Sequence, residues 1–476
     1  MKKVLFIQPH KVVPSLDLDK GEHTDYLAER TDKFARAVPS IPAMCVLGAL
    51  DGHETYFIDL TADNPGNISD FNEHISLLGM GDEELCDKVN AIKPDVVLLT
   101  SIFTTEYFAV NHAARVIKDK FELPIVVGGN HATLRPEWHI DYADIVVLGE
   151  GELNINEIIN GIEGKVPLSQ IKGIVYKKGR EIVKQHKSGV LSDLDQRWDI
   201  KTVVRRDDGS YRYPLSIAAR NPELYLPKGL NLSQPSATMY ASRGCFSHCD
   251  YCNATTRDGK KIRHMSLEKM IGLTEEFIAE GANTFYNQAD VFGTDIDREF
   301  IKWFGEQREQ GSDIYLINNN SFFARFFFPG NKFSSDRIDL LKKAGFKTIT
   351  VSLESFNEKF NNGKLKDISV GMLDECFGYM KEQGLGVDVY MMYLFPEQTE
   401  KEFNSDRAKI EKLSDNITTT TWRSLTYFPG TVYYDWAIKT GKFTEEGYRK
   451  MLHKGHSFYH ADRRFNFSRV RNPPLL

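Results

Sequence analysis

The sequence lacks the marks of several protein classes. No run of about 18 consecutive apolar residues occurs, so no transmembrane helix is expected. No basic tract interrupts the chain: Lys+Arg is 60 against Asp+Glu 66, a net charge of −6, which argues against a DNA or RNA partner. There is no internal repeat and no low-complexity stretch. Cysteine is scarce, with six in 476 residues (Cys45, Cys86, Cys245, Cys249, Cys252 and Cys376), too few and too unevenly spread for a disulfide framework. The start, MKKVLFIQPHKVV, has an apolar stretch broken at Gln8 and reads as a first β-strand rather than a signal peptide. A cytoplasmic, reducing location fits these absences. What remains is ordinary globular material, 41% hydrophobic and 26% charged, long enough for two or three domains.

Against that background, three of the six cysteines fall within eight residues. Cys245, Cys249 and Cys252 lie in SRGCFSHCDYCNA with the spacing C-x3-C-x2-C. Thiolates are soft ligands that suit iron–sulfur clusters or zinc. A cubane cluster normally takes four cysteines, so three leave one iron open to a small molecule. Zinc is the alternative, with His248 or His264 as fourth ligand, but zinc sites usually pair two C-x2-C knuckles and no second knuckle is present. A disulfide would strand one of the three. Cys45, Cys86 and Cys376 read as buried thiols.

The first part of the chain alternates strands and helices. Strands are expected at Val4–Pro9, Thr55–Leu60, Asp95–Ser101, Pro124–Gly129 and Asp144–Glu152, with helices at Ile41–Leu50, Asp82–Ile92 and Glu106–Lys120. This order predicts a doubly wound parallel sheet, on which ligands sit beyond the carboxyl ends of the strands. A hairpin follows at Lys172–Lys184. The stretches Lys11–Pro39 and His186–Ser236 lose periodicity; the second reads as a connector. Alternation resumes with six strands, at Thr238–Arg243, Asn283–Asp290, Asp313–Asn320, Phe346–Ser355, Leu385–Leu394 and Asn416–Leu425. Ser266 is placed to cap a helix whose apolar face is Leu267, Met270, Ile271, Phe277 and Ile278.

The cysteine triplet, with Tyr251 just before its third member, resembles the radical S-adenosylmethionine (SAM) enzymes. The resemblance implies that Cys245, Cys249 and Cys252 hold a 4Fe-4S cluster whose open iron chelates SAM, and that an electron from the cluster releases a 5′-deoxyadenosyl radical. It implies a partial (β/α)6 barrel of TIM type, with the cysteine loop after its first strand. It also implies SAM contacts. Tyr251 would meet the adenine, unless it is simply packed. Ser352 or Glu354, in VSLESFNE, would touch methionine or ribose, the alternative for Glu354 being a barrel Lys or Arg partner. Asp290, in NQADVFGTD, would contact SAM or substrate, the alternative being a helix cap or turn. Tyr393, in YMMYLFPEQTE, belongs to the stretch beneath adenine, where Glu397 replaces the usual glycine, and LTYFPGTVYY lies on the substrate side.

The first part in turn resembles the cobalamin-binding, Rossmann-like domain fused to many radical SAM enzymes, on GGNHAT (Gly128–Thr133), VLGEGE (Val147–Glu152) and Ser101. The implied cobalamin contacts are Ser101, Gly128, Gly129, His131, Gly149 and Gly151; glycine lets backbone approach a large ligand closely. Domains that donate a histidine to cobalt carry D-x-H-x-x-G after the first strand. Here the place reads QPHKVV, so His10 is the candidate, without the Asp or Gly, and cobalt is expected to have no protein imidazole.

The expected domains are residues 1–190 for cobalamin, a connector at 191–236, the barrel at 237–430 and a C-terminal cap or tail at 431–476. The implied activity is a cobalamin-dependent radical SAM methyltransferase moving methyl to an unactivated carbon, or a phosphinate phosphorus, of a small molecule. No catalytic base is assigned, and an electron donor such as flavodoxin or ferredoxin is implied. Cyclisation, ring contraction or oxidation with the same cofactors is the first alternative. Methylthiotransfer is another, disfavoured because that family's first domain brings three cysteines and this one has only Cys45 and Cys86. A non-enzymatic metal-binding module is a third.

Overall fold

The computed structural model describes residues 1–14, 40–64, 67–196, 203–205, 211–214, 236–318 and 320–454. The chain forms two compact units. The first contains Met1–Phe246, Asn253–Val291 and the stretch from Tyr448; the second contains Ser247–Cys252 and Phe292–Gly447. Most of the expected connector, residues 15–39 of the irregular stretch, and the C-terminal aromatic segment Ser457–Phe467 lie outside the described residues.

The first unit begins β1 (Lys3–Gln8), β2 (Lys11–Pro14), α1 (Ile41–Gly48), β3 (Glu54–Asp59), β4 (Ile68–Asn72), β5 (Ile75–Leu78), α2 (Asp82–Ile92), β6 (Val96–Thr100), α3 (Tyr107–Lys120), β7 (Ile125–Gly128), α4 (Asn130–Leu134), β8 (Ile145–Val147), α5 (Ile155–Ile162), β9 (Ile174–Lys178) and β10 (Glu181–Lys184). It continues with β11 (Val203–Arg205), β12 (Tyr211–Pro214), β13 (Ser236–Met239), β14 (Ser242–Arg243), α6 (Ala254–Asp258), β15 (Arg263–His264), α7 (Leu267–Ala279) and β16 (Thr284–Asn287).

Strand β1 shows why the sheet is buried on both sides. Val4, Leu5, Phe6 and Ile7 are all at most 3% exposed, and successive side chains point to opposite faces. Leu5 and Ile7 pack with Leu85 and Val89 of α2 and Val110 and Ile117 of α3. Val4 and Phe6 pack with Ala43 and Leu47 of α1 and Ile155 and Ile158 of α5. Ser40 starts α1 by accepting from the Ala43 amide at 3.3 Å, and three acids, Asp82, Glu83 and Glu84, meet the positive end of α2. The five strands β8, β7, β6, β1 and β3 run parallel in that spatial order, which in chain order of those five is 2-1-3-4-5. The switch point lies between β1 and β6, where Ile7 faces Leu99 in register.

The sheet is wider than the pattern suggests. The hairpin β9–β10 adds antiparallel to β8, as the Lys-Gly turn implies, and β11 and β12 extend the other edge from within the expected connector. A separate antiparallel meander of β2, β5 and β4 occupies sequence expected to be irregular or left unassigned. Its strands are four or five residues long, too short to show a period.

In the barrel region each of the six expected strands occurs. The first divides into β13 and β14, and β13 pairs parallel with β16. Helix α7 is capped by Ser266, which accepts from the Lys269 amide at 3.1 Å. Its buried face is Met270, Leu273, Thr274 and Phe277; Ile278, expected in that face, is 36% exposed. The second unit contains α8 (Asp295–Glu309), β17 (Tyr315–Asn318), β18 (Phe322–Phe323), α9 (Ser335–Lys343), β19 (Thr348–Glu354), α10 (Glu358–Asn361), α11 (Val370–Glu382), β20 (Gly386–Tyr393), α12 (Glu400–Leu413), β21 (Thr419–Ser424) and α13 (Val432–Lys439). Strands β18 to β21 form a parallel sheet in sequence order. Thr294 with Asp297 and Thr399 with Glu402 make reciprocal caps at the starts of α8 and α12.

The two-sided burial of β1 sets a contrast that equilibrium unfolding in urea checks. Ile7→Ala removes a side chain that is 0% exposed and is expected to cost about 2–5 kcal/mol. Ile182→Ala on the edge strand β10, at 50% exposure, is expected to stay within about 0.5 kcal/mol.

Candidate functional site

The cysteine loop leaves β14 directly, at its carboxyl end. Gly244 turns the chain with φ of 93°, and a Cβ there would meet the Lys261 carbonyl oxygen at 2.4 Å, so only glycine fits. The Cys245 amide then donates to the Gly259 carbonyl at 3.2 Å and the Cys252 amide to the Cys249 carbonyl at 3.0 Å. Cys245 is buried, Cys249 partly covered and Cys252 exposed. The other cysteines are different in kind. Cys45, Cys86 and Cys376 are buried, and desolvation raises the pKa of each, which keeps the thiol protonated and a poor ligand. Among the described residues no three His, Cys, Asp or Glu side chains stand in a metal-holding arrangement. The fit to an iron–sulfur cluster therefore rests on the donor set, three thiols within eight residues of one loop, which suits that group.

Within the second unit the structure brings Tyr251 and Glu354 together through a residue that the sequence did not flag, Lys364. Its ammonium donates to the Tyr251 hydroxyl and stands 3.3 Å from Glu354 Oε1, with side-chain exposures of 9% and 11% for the ion pair. Burial is the largest single effect and would lower the Lys364 pKa, but the Glu354 carboxylate together with Cys249 and Cys252 outweighs it and the group sits above its ordinary value. Glu354 has φ of 63° at a bulge between β19 and β20. Two residues before Lys364, the Asn362 amide donates to the His248 carbonyl at 2.9 Å. Residues 362–364 thus strap the cysteine loop to the end of β19. Ser352 is hydrogen-bonded to the Ser321 hydroxyl. Tyr393 does not join this group; its ring packs on Phe403 of α12 at 5.7 Å. Glu397, at the usual glycine position, adopts φ of 59°, so the loop keeps a backbone that glycine favours.

Asp290 belongs to the first unit and neither caps a helix nor stands free. It is ion-paired with Arg257, while burial raises its carboxyl pKa against that pairing. Arg257 also holds Asp258, and Asp258 accepts from the Tyr240 hydroxyl at 3.3 Å.

The remaining candidates collect at the carboxyl edge of the sheet, beside the switch point. Buried polar atoms without a hydrogen-bond partner among the described residues cluster there: His10 Nδ1, Thr100 Oγ1, Ser101 Oγ, Asn130 Oδ1 and His131 Nε2. Such atoms are costly unless a ligand or water meets them, which suits a polar-edged cofactor such as cobalamin. His10 is 2% exposed, its Nε2 lies 2.7 Å from the Met80 carbonyl oxygen, and burial lowers its pKa. His131, expected at a corrin edge, is instead wholly covered, with Nδ1 3.1 Å from Thr104 Oγ1 and its ring against Tyr107, Trp138 and His139. Gly129 is required for a reason nearer home than a ligand: φ is 105°, and a Cβ would meet the Ser101 carbonyl oxygen at 2.5 Å. Gly128 has ordinary space, 3.7 Å to Val147 Cβ. Gly149 has φ of 88° and lies against Lys187; Gly151 faces Val46.

Gly129→Ala is accordingly expected to cost about 2–5 kcal/mol through backbone strain and overlap, and Gly128→Ala no more than about 1 kcal/mol. Denaturant titration of both variants checks this without any cofactor. A second expectation concerns protons. His139 is pushed down to about 3 by burial, Arg449 adding to it, while Nδ1 lies 2.6 Å from Asn111 Oδ1. The unfolded imidazole takes a proton below about pH 6.5 and the folded one does not, so its stabilisation is present above that pH and is lost as pH falls toward 3. Between pH 7 and pH 5 the loss should be smaller by about 2 kcal/mol in His139→Gln than in the wild type, read by urea denaturation.

Residues 31–159 match the B12 binding domain family and residues 239–409 the radical SAM superfamily. The chain is 23% identical over 346 residues to the cytidylyl-2-hydroxyethylphosphonate methyltransferase of Streptomyces wedmorensis, covering 64% of this chain and 58% of that protein, little more than half its length. It is 23% identical over 368 residues to an uncharacterized methyltransferase of Pyrococcus horikoshii, covering 76% and 73%. Its fold is similar to that of the radical S-adenosylmethionine methyltransferase TsrM from Kitasatospora setae, with a TM-score of 0.67, 17% identity, and coverage of 92% of this chain and 76% of that one. The α/β fold class is thus the one expected, a doubly wound parallel sheet followed by a radical SAM partial barrel. The chain thus carries a B12 binding domain followed by a radical SAM domain, the two domains of the cobalamin-binding-domain radical SAM enzymes, with a 4Fe-4S cluster, SAM and cobalamin as the cofactors that go with them.

Proposed function

We propose that this chain is a cobalamin-dependent radical SAM methyltransferase that moves a methyl group to an unactivated carbon, or to a phosphinate phosphorus, of a small molecule. The observation that carries the reading is the separation of the six cysteines: three on one loop after the first barrel strand, three buried as neutral thiols. When bound, the cluster would supply the electron that cleaves SAM and cobalamin would carry the methyl group. The protein's own part is positioning and the exclusion of water. Cys245, Cys249 and Cys252 would be the cluster ligands, leaving one iron for SAM. Lys364 balances the Glu354 charge and fixes the Tyr251 ring, so that an aromatic face and a carboxylate are held ready beside the loop. Ser101 and its unpartnered neighbours at the sheet edge, His10 Nδ1 among them, would meet the polar rim of cobalamin, while His10 Nε2 is held by the Met80 carbonyl. Asp290, held by Arg257, is the candidate for substrate or SAM contact in the first unit. A small ferredoxin- or flavodoxin-type donor would supply electrons.

Anaerobic reconstitution tests the reading. The wild type is expected to take up about four irons per chain, to show corrinoid absorbance, and to cleave SAM under dithionite. Cys245→Ala, Cys249→Ala and Cys252→Ala should each abolish SAM cleavage, while Cys45→Ala, Cys86→Ala and Cys376→Ala should retain it. Tightly held zinc with no iron would overturn the cluster assignment. Once a substrate is found, a mass gain of one methylene marks methyl transfer, and none marks cyclisation, ring contraction or oxidation.

A further inference from the structure

The turn after β8 carries more than the two glycines discussed above. Between and beside Gly149 and Gly151 stand Glu150 and Glu152, 7% and 5% exposed, and both carboxylates are spent on the stem of the cysteine loop. Arg243, two residues before Cys245, donates to Glu152 and has its other nitrogen 3.4 Å from Glu150 Oε2. Arg263 is the register partner of Arg243 in the β14–β15 ladder. It forks onto Glu150 at 2.6 and 3.1 Å. The same two nitrogens reach the Leu191 carbonyl at 2.6 Å and the Asp258 carbonyl at 3.0 Å. Asp258 closes α6, the helix that follows Cys252. A further tie comes from Lys187, which packs on Gly149 and donates to the Arg257 carbonyl at 2.8 Å. The turn therefore grips the segment entering the cysteine loop and the segment leaving it.

Two carboxylates and two guanidiniums, all in the first unit and all more than nine-tenths buried, balance in charge. If this were only core, apolar side chains of the same volume would serve as well or better, because taking charges out of water is expensive. What forked guanidinium–carboxylate bonds add is direction, fixing angle as well as distance. The geometry points to Glu150 and Glu152 as positioning residues that set both ends of the cysteine loop against the Gly149–Gly151 turn, holding the cluster and the corrinoid in one mutual arrangement. This rests on the function proposed above. It matters for catalysis because a misplacement of about 1 Å between reacting groups can cost on the order of 100-fold in rate.

The test uses the full chain loaded with cluster and hydroxocobalamin, then reduced so that both centres are paramagnetic, with no substrate needed. Pulsed electron paramagnetic resonance reads the dipolar coupling between them. The wild type should give one narrow distribution. The Glu150→Gln, Glu152→Gln double variant, at unchanged iron and cobalamin content, should give one broadened about twofold or more, since neutral amides cannot reproduce the charged fork. A lowered melting temperature with the distribution unchanged would overturn the positioning role and leave the proposed function standing. Should the double variant not fold, Glu152→Gln alone, which keeps the Arg263–Glu150 fork, is expected to broaden the distribution measurably; an unchanged one overturns the inference. A wild type that takes up neither cofactor would overturn both readings.

Discussion

Burial of β1 on both faces is the constraint from which the first unit follows. A strand with Val4 and Phe6 packed on one side and Leu5 and Ile7 on the other cannot lie at an exposed surface. Its neighbours are parallel strands joined by crossovers, and the crossovers put helices on both faces. Parallel strands bring all their carboxyl ends to one edge, and the order 2-1-3-4-5 opens that edge between β1 and β6. His10 and Ser101 fall there because they follow those two strands, not because of any local motif.

The second unit solves a different problem, the cost of a carboxylate held at a strand end with little water. Glu354 has a left-handed backbone, a conformation that costs on the order of 1–3 kcal/mol in a non-glycine residue. It persists beside a buried cation, and that same cation fixes an aromatic ring on the cysteine loop. Such strain is commonly stored where a site must be ready before its ligand arrives.

The elements that could be read in advance are those with a local signature. Apolar runs bounded by turn residues gave β1, β3, β6 and β7 to within a residue at each end and β8 at its start only, and the cysteine spacing stands out by itself. The elements that could not be read depend on partners far away in sequence. Arg243 and Glu152 are 91 residues apart, and nothing near either marks the other. Lys364 sits in NGKLK, a stretch that reads as loop, and gains its role only when α10 turns it back toward β19. The meander strands are too short to show a period. Gly129 was legible as special, but its cause, the Ser101 backbone, lies in another strand. Long-range pairing is a property of the fold, and a sequence read locally carries little of it.

The state of the three scattered cysteines has a consequence for how the protein matures. A scaffold that receives iron and sulfide must steer them to one address, and every stray thiolate is a competing one. Here burial raises the pKa of Cys45, Cys86 and Cys376, so among the described residues the loop of Cys245, Cys249 and Cys252 is where thiols would be offered to incoming metal. The same concealment limits one kind of damage: a loop emptied of its cofactor finds no accessible fourth cysteine among the described residues with which to cross-link.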